Sequence, residues 1–203
     1  MKKLFLSLVM MISSMVSFAQ QEPGTFSIRP EVGFNVSKLL LSGATETGYG
    51  FGESHNKLGF VVGAEADYQA NEWFGVSAGL LYSQMGANGK SGLDIKINYD
   101  YIAVPILANF YVWKGLCMKT GIQPAFCINS KATEKGDNII NWGGDYTRKF
   151  DIQVPVGFSY EIGGFIVDAR YNVGIVNILK NQPTSMSFRN SVTQITLGYK
   201  FHL

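Results

Sequence analysis

The side chains of this 203-residue chain that could do chemistry are two histidines, two cysteines and a set of scattered acids and bases. His55 follows Glu53 and Ser54. Neighbours on an extended chain point in opposite directions, so that run is not a triad by itself. Nucleophilic catalysis needs serine, base and acid to converge. His202 is the second-last residue, and no cluster of residues has metal-ligand spacing. Cys117 and Cys127 suggest a disulfide, but they lie ten residues apart in one extended segment. At about 3.3 Å per residue they are separated by about 33 Å, while a disulfide needs Cα atoms within about 7 Å. Both therefore read as small inward-facing residues. No catalytic residue, cofactor site or metal site emerges, and the chain reads as a non-enzyme.

The elements that would position these residues are strands. Past residue 25 the hydrophobic period is two. In 58–69, Leu58, Phe60, Val62, Ala64, Ala66 and Tyr68 oppose Gly59, Val61, Gly63, Glu65, Asp67 and Gln69. The same split recurs in 150–162, in 164–176 and in the last strand, where Ile195, Leu197, Tyr199, Phe201 and Leu203 oppose Gln194, Thr196, Gly198, Lys200 and His202. Segments near 26–40, 74–87, 96–112 and 116–130 complete a set of eight. Tight turns at 70–73, 113–115 and 163–164 alternate strictly with long loops at 42–56, 88–94, 131–147 and 180–189. Short periplasmic turns alternating with long extracellular loops mark an outer-membrane barrel. The predicted fold is all-β, an eight-stranded antiparallel up-and-down transmembrane β-barrel. Pro30, Pro105, Pro124 and Pro155 fall inside strands, where each removes a ladder hydrogen bond, so bulges are expected there. The strands exceed the roughly 9–11 residues needed to cross lipid, and the excess should project beyond the outer face.

Residues 1–19 read as a cleaved signal peptide, leaving 20–203 as the barrel domain. Lys2 and Lys3 precede an apolar run that ends at Ser17-Phe18-Ala19. The run is shorter than the roughly 20 residues of a spanning helix. The whole chain has 17 basic and 15 acidic residues, and without Lys2 and Lys3 the charges balance. Balanced charge counts against nucleic acid as a partner. Gly is abundant at 23 residues and charged residues are only 16%, against about 25% in soluble domains.

Period two gives two faces but not which one points out. One is bulky and apolar without charge at mid-strand, which suits lipid. The other carries Gly, Ser, Asn and Gln with Arg29, Glu31, Glu65, Asp67, Lys119, Asp151, Glu161, Asp168, Arg170 and Lys200, six acids and four bases. Charges in a narrow lumen must pair or meet water. Eight strands enclose a space that side chains fill, so an interlocked polar interior is expected rather than an open pore. Aromatics gather at strand ends, with Trp73, Phe74, Trp113, Tyr160 and Phe165 at the short turns and Tyr82 and Tyr99 toward the long loops, as in interfacial girdles. The terminal Thr196, Gly198, Phe201 and Leu203 are spaced like the signal read by the barrel-assembly machinery, which with outer-membrane lipid is an expected partner.

The segment Tyr-Ile-Ala-Val-Pro-Ile-Leu-Ala-Asn-Phe-Tyr at 101–111 resembles the central strand of the PorT-like outer-membrane β-barrel family of Bacteroidetes. A leader ending in Phe-Ala-Gln is similar to that group, and the resemblance covers the mature chain. Ala103 and Asn109 stand where the family has an acidic and a basic residue, so an ion pair between those positions is absent. The resemblance implies an outer-membrane location in a Gram-negative bacterium and a link to protein secretion, since the founding member has one.

The long loops are the expected working surface, with Tyr49, Phe51, Trp142 and Tyr146 as candidate contacts for an envelope or surface protein partner. The leading reading is a small non-enzymatic envelope scaffold. Two alternatives stay open: an outer-membrane lipid-modifying enzyme, needing a histidine and a serine or acid to converge at the outer interface, and a soluble periplasmic lipocalin-like carrier, needing the faces inverted around an apolar cavity.

Overall fold

The computed structural model describes residues 22–42, 56–88, 95–134, 138–140, 148–178 and 187–203. Eight long antiparallel strands follow one another: β1 (Phe26–Ser42), β2 (Lys57–Gln69), β3 (Phe74–Asn88), β4 (Ile95–Ala103 and Ile106–Trp113), β5 (Leu116–Glu134), β6 (Phe150–Ile162), β7 (Phe165–Gly174) and β8 (Ser187–Tyr199 with Phe201–His202). Each pairs with its sequence neighbour, and β1 also pairs with β8 from Ser27↔His202 to Ser42↔Ser187. That last pairing closes the sheet, which removes the exposed edges a membrane could not tolerate. The eight-stranded up-and-down barrel expected from the alternation is the fold observed.

The tight turns have local causes. Asn71 bends the β2–β3 connection by accepting hydrogen bonds from the backbone N–H groups of Trp73 (3.0 Å) and Phe74 (2.8 Å) through its side-chain oxygen. Gly163 and Gly164, at φ 57° and 85°, form the two-residue turn between β6 and β7. Positive φ at both positions is what matches a tight hairpin to the strand twist. Residues 1–19, which are expected to form a signal peptide, lie outside the described residues, as does most of each long loop.

The prolines behave differently from expectation. Pro30, Pro124 and Pro155 pair with Ala64, Ile152 and Asn172 without any register shift. Pro105 interrupts β4, yet register is the same on both sides of it (Leu81↔Ala103, then Ala78↔Ile106). Its carbonyl still accepts from Gly79 N–H at 3.0 Å, and Val104 N–H donates to the Pro124 carbonyl at 2.8 Å. Each proline forfeits one bond, and the ladders on either side hold the strand straight. The irregularities lie elsewhere: Tyr101 pairs with Cys127 and Asp100 with Asn129, which leaves Ile128 unopposed, and a second shift falls between Tyr111 and Trp113.

The ends of some strands also moved. β5 runs to Glu134, and Asn138–Ile140 pairs back onto it, inside what reads as a loop in the sequence. β8 starts at Ser187 rather than after Arg189.

Candidate functional site

The barrel has two zones along its axis. In the half next to the short turns, the outward residues are apolar and exposed: Val32, Phe34, Phe60, Leu80, Ile106, Met118, Phe158 and Leu197 are among them. From Phe26 to Val36 on β1 no outward residue is charged. That span of ten residues covers about 33 Å along the strand, or about 25 Å of membrane at a typical tilt, the height of an outer-membrane apolar band. Rings stack along its lower edge, including Phe26–Tyr68 at 4.6 Å, Phe74–Phe110 at 5.5 Å and Phe165–Tyr199 at 4.9 Å between centroids. Phe60–Tyr82 at 5.3 Å and Phe126–Phe150 at 5.1 Å lie nearer the long loops. Tyr99 does not join that upper girdle. It is buried inside the barrel, because odd positions of β4 point inward.

Inside the lipid zone the charges meet. Arg29, Glu31, Glu65, Asp67, Lys119, Asp168 and Arg170 are all buried, and they converge from β1, β2, β5 and β7. Arg170 Nη1 donates to Glu65 Oε1 at 2.6 Å and Arg170 Nε to Asp168 Oδ1 at 2.6 Å, while Glu31 Oε2 lies 3.6 Å from Arg170 Nη2. Arg29 Nη2 donates to the other oxygen of Glu65. Lys119 Nζ donates to Asp168 Oδ2 at 2.7 Å. Asp67 sits at the margin, 4.0 Å from Arg29 Nε. Glu65 thus bridges two guanidiniums and Asp168 bridges an arginine and a lysine. This is the arrangement that lets charges stay ionised away from water. Lys200 and Glu161 form a separate pair at 2.5 Å nearer the short turns. Asp151 stands apart, accepting from Asn190 Nδ2 at 2.8 Å and Gln153 Nε2 at 2.9 Å.

Several of these contacts cross the lumen. Arg170 on β7 reaches Glu65 on β2, Gln153 on β6 lies 3.6 Å from Met85 Sδ on β3, and Asn190 on β8 lies 3.4 Å from the Tyr101 hydroxyl on the opposite strand, β4. Side chains therefore fill the bore. Inward glycines allow it: a Cβ on Gly121 would stand 2.0 Å from the Ile106 carbonyl oxygen, and one on Gly33 1.9 Å from that of Ile195.

Toward the long loops the pattern inverts. There the interior is an apolar core of Val61, Leu81, Met85, Ile97, Tyr99, Tyr101, Phe188 and Val192, with Ile178 folded in behind β7. Polar residues now appear on the outer face, among them Lys38, Gln84, Asn98, Asp100, Asn129, Lys131, Arg189 and Thr193, beside exposed Leu58 and Ile128. This upper collar is built like a water-soluble barrel. The interior is thus not uniformly polar, as the sequence reading expected. The sequence carries a signal for this. At 95–101 the apolar residues are the odd ones, Ile95, Ile97, Tyr99 and Tyr101, whereas at 102–112 every even residue is apolar and the odd ones are mixed, Leu107 and Tyr111 beside Asn109. The change of phase marks where the wall leaves lipid.

The remaining candidates are quickly placed. Cys117 is buried and Cys127 half-buried on β5, both as free thiols. His202 is exposed at the short-turn end, while His55, Tyr49, Phe51, Trp142 and Tyr146 lie outside the described residues. Gly75-Val76-Ser77-Ala78-Gly79 spells a nucleophile-elbow motif, which corrects the expectation that the chain holds no G-x-S-x-G. In the structure Ser77 is mid-strand and buried, and accepts from Asn109 Nδ2 at 3.1 Å. The motif requires a serine exposed on a strand-to-helix turn, so here it is a strand coincidence. Asn109 and Ala103, the two departures from the PorT-like pattern, both face inward and are buried. Among the described residues no group of three or more His, Cys, Asp or Glu side chains is placed to hold a metal ion. Of the terminal residues, Thr196 and Gly198 face inward while Phe201 and Leu203 are exposed on the outer face.

Comparison with known proteins agrees with this architecture. Residues 18–180 match the family described as outer membrane protein beta-barrel domain. Among solved structures, Ail, the attachment invasion locus protein of Yersinia pestis, is 17% identical, with 88% of this chain and 99% of that one covered and a TM-score of 0.54. OprG from Pseudomonas aeruginosa is 15% identical, with 92% and 100% covered and a TM-score of 0.51. Neisserial surface protein A is 13% identical, with 87% and 97% covered and a TM-score of 0.50. At such identities the likeness is one of fold. No curated protein matches the sequence. The chain belongs to the outer membrane protein beta-barrel domain family, and its place is the outer membrane of a Gram-negative bacterium.

Proposed function

We propose that this small outer-membrane barrel is a non-enzymatic scaffold that works through its extracellular loops rather than through its bore. The carrying observation is the filled lumen. Ion pairs and hydrogen bonds join strands across it, from Arg170 to Glu65 and from Asn190 to Tyr101, and an apolar core sits above them. A barrel filled in this way offers solutes no path, so its contacts are made at the ends. The loop aromatics Tyr49, Phe51, Trp142 and Tyr146 are the contact residues proposed for a protein partner in the envelope. The PorT-like strand at 101–111 supports a partner belonging to secretion across the outer membrane. The leader at 1–19 and the terminal Thr196, Gly198, Phe201 and Leu203 would bring the chain to the barrel-assembly machinery.

In-cell photo-cross-linking from Trp142 and Tyr146 tests this reading. A discrete adduct with an envelope protein, lost when the probe is moved to lipid-facing Leu80, is the expected outcome. Labelling no stronger than at Leu80 would overturn it. A lipid-modifying activity would show instead as altered outer-membrane lipid on overexpression.

A further inference from the structure

The charges buried in the lipid zone do not balance. Glu31, Glu65, Asp67 and Asp168 meet Arg29, Lys119 and Arg170, four acids against three bases, so the cluster carries one net negative charge. The neighbouring Lys200–Glu161 pair is neutral in itself. The surplus acid is Asp67. Its ion pair with Arg29 Nε is long, 4.0 Å, and the Arg29 guanidinium already donates to Glu65. Lys119 is likewise held by Asp168 at 2.7 Å.

Oxygens around Asp67 lack donors as well. Asp67 Oδ2, Gln69 Oε1 and Asn109 Oδ1 are each buried without a hydrogen-bond partner among the described residues. The three residues are at most 4% exposed. Register sets them side by side: Asp67 lies opposite Ser77 and Gln69 opposite Gly75 across β2–β3, and Gly75 lies opposite Asn109 across β3–β4. Gly75 puts no side chain between Gln69 and Asn109. Their backbones are two strands, about 10 Å, apart, a gap that two amide side chains close from either side on one shared ion. The Tyr111 ring borders this gap, 3.4 Å from where a Cβ on Gly75 would stand. Both amide nitrogens are already engaged. Gln69 Nε2 donates to the Asn71 carbonyl at 2.6 Å and Asn109 Nδ2 to Ser77 Oγ at 3.1 Å. Buried acceptors left without a donor are costly. Water would satisfy them but would leave the charge unbalanced. Carboxylate, amide and hydroxyl oxygens are hard ligands, with no imidazole or thiolate in the set, and hard ligands select hard cations. A single surplus negative charge, with Arg29 close by, matches one positive charge rather than two.

We propose that Asp67, Gln69 and Asn109, with the Ser77 hydroxyl, bind an alkali-metal cation just inside the short-turn mouth of the barrel. The ion neutralises the buried cluster and ties β2, β3 and β4 together where their ladders begin. Its way in is from the periplasm, because the short turns of such a barrel face that side and Gln69 is the last residue of β2 before the turn.

The test uses the purified full-length barrel folded into phosphatidylcholine vesicles, with sodium chloride as probe. Choline chloride replaces it at constant ionic strength, so that screening of surface charge is the same throughout. Urea unfolding is followed by tryptophan fluorescence. The wild-type midpoint is expected to rise with sodium and then saturate. At ten times the dissociation constant the folded-to-unfolded ratio should stand about elevenfold above its value in choline. D67N and N109A should each lose most of that increment. E72Q, which removes an exposed acid from the adjoining turn, should keep it. Heat-modifiable gel mobility checks that each variant is folded. Equal midpoints in sodium and choline would overturn the proposal, since water would then fill the site. A full sodium increment in folded D67N or N109A would overturn it too, as would a larger increment from magnesium than from sodium.

Discussion

Removing the Arg170 guanidinium should cost this barrel more than any single change on its surface. The side chain is buried and holds Glu65 and Asp168 at 2.6 Å each, with Glu31 at 3.6 Å. Around it are four carboxylates, Glu31, Glu65, Asp67 and Asp168, and two other cations, Arg29 and Lys119. With Arg170 present the cluster carries one net negative charge, and R170M raises that to two with no water at hand to screen it. Breaking a buried pair by removing one partner costs about 3–5 kcal/mol. Urea unfolding of the barrel in lipid vesicles, followed by tryptophan fluorescence, would read this as a midpoint lowered by about 2 M if the slope is about 2 kcal/mol per M. The triple variant R170M/E65Q/D168N removes one positive and two negative charges and leaves Arg29 and Lys119 against Glu31 and Asp67. It should regain most of the loss, since neutral packing can replace a buried ion pair at little cost. A loss below about 1 kcal/mol for R170M, the range of an exposed ion pair, would refute the view that these charges are dry and mutually dependent.

Other expectations follow from the same geometry. G121V places side-chain atoms where even a Cβ would lie 2.0 Å from the Ile106 carbonyl, so this variant should fail to give a heat-resistant band, while V156T on the lipid face should still give one. Reconstituted into planar bilayers, the wild-type barrel should show no stable conductance steps, and regular steps would contradict the filled lumen. Cys117 and Cys127 should both react with a thiol reagent after unfolding without reductant, because residues ten apart on β5 cannot be bridged. Protein lacking free thiols would mean that β5 is not a continuous strand.

Much of the fold was legible because a closed barrel imposes one rule on every strand. Each residue faces either lipid or lumen, so alternation at 58–69, 150–162 and 195–203 assigned faces that the structure repeats. The ten charges placed inward on that parity are buried or half-buried in the structure, and Lys57 on β2, which was not among them, faces the same way and donates to the Met85 carbonyl. The partners of these charges were not legible, since which strand lies across the lumen depends on tilt and register, and nothing local links Arg170 to Glu65, 105 residues away. The prolines misled because a missing N–H was equated with a bulge. In a wall held from both sides one absent bond is tolerated, and the bulge formed at Ile128 instead. The apolar upper core was overlooked because a single phase was assumed along each strand. At Tyr99 and Tyr101 the phase reverses where water replaces lipid outside, and an apolar side chain there gains by turning inward.

Gel mobility of outer-membrane fractions tests most directly whether the barrel holds its apolar face in lipid. The full 203-residue chain would be expressed, and boiled and unboiled samples compared. Protein in the membrane fraction that migrates differently before and after boiling, as an SDS-resistant barrel does, is the predicted result. Soluble periplasmic protein with one mobility under both conditions would contradict it and would require the apolar face to be turned inward around a ligand.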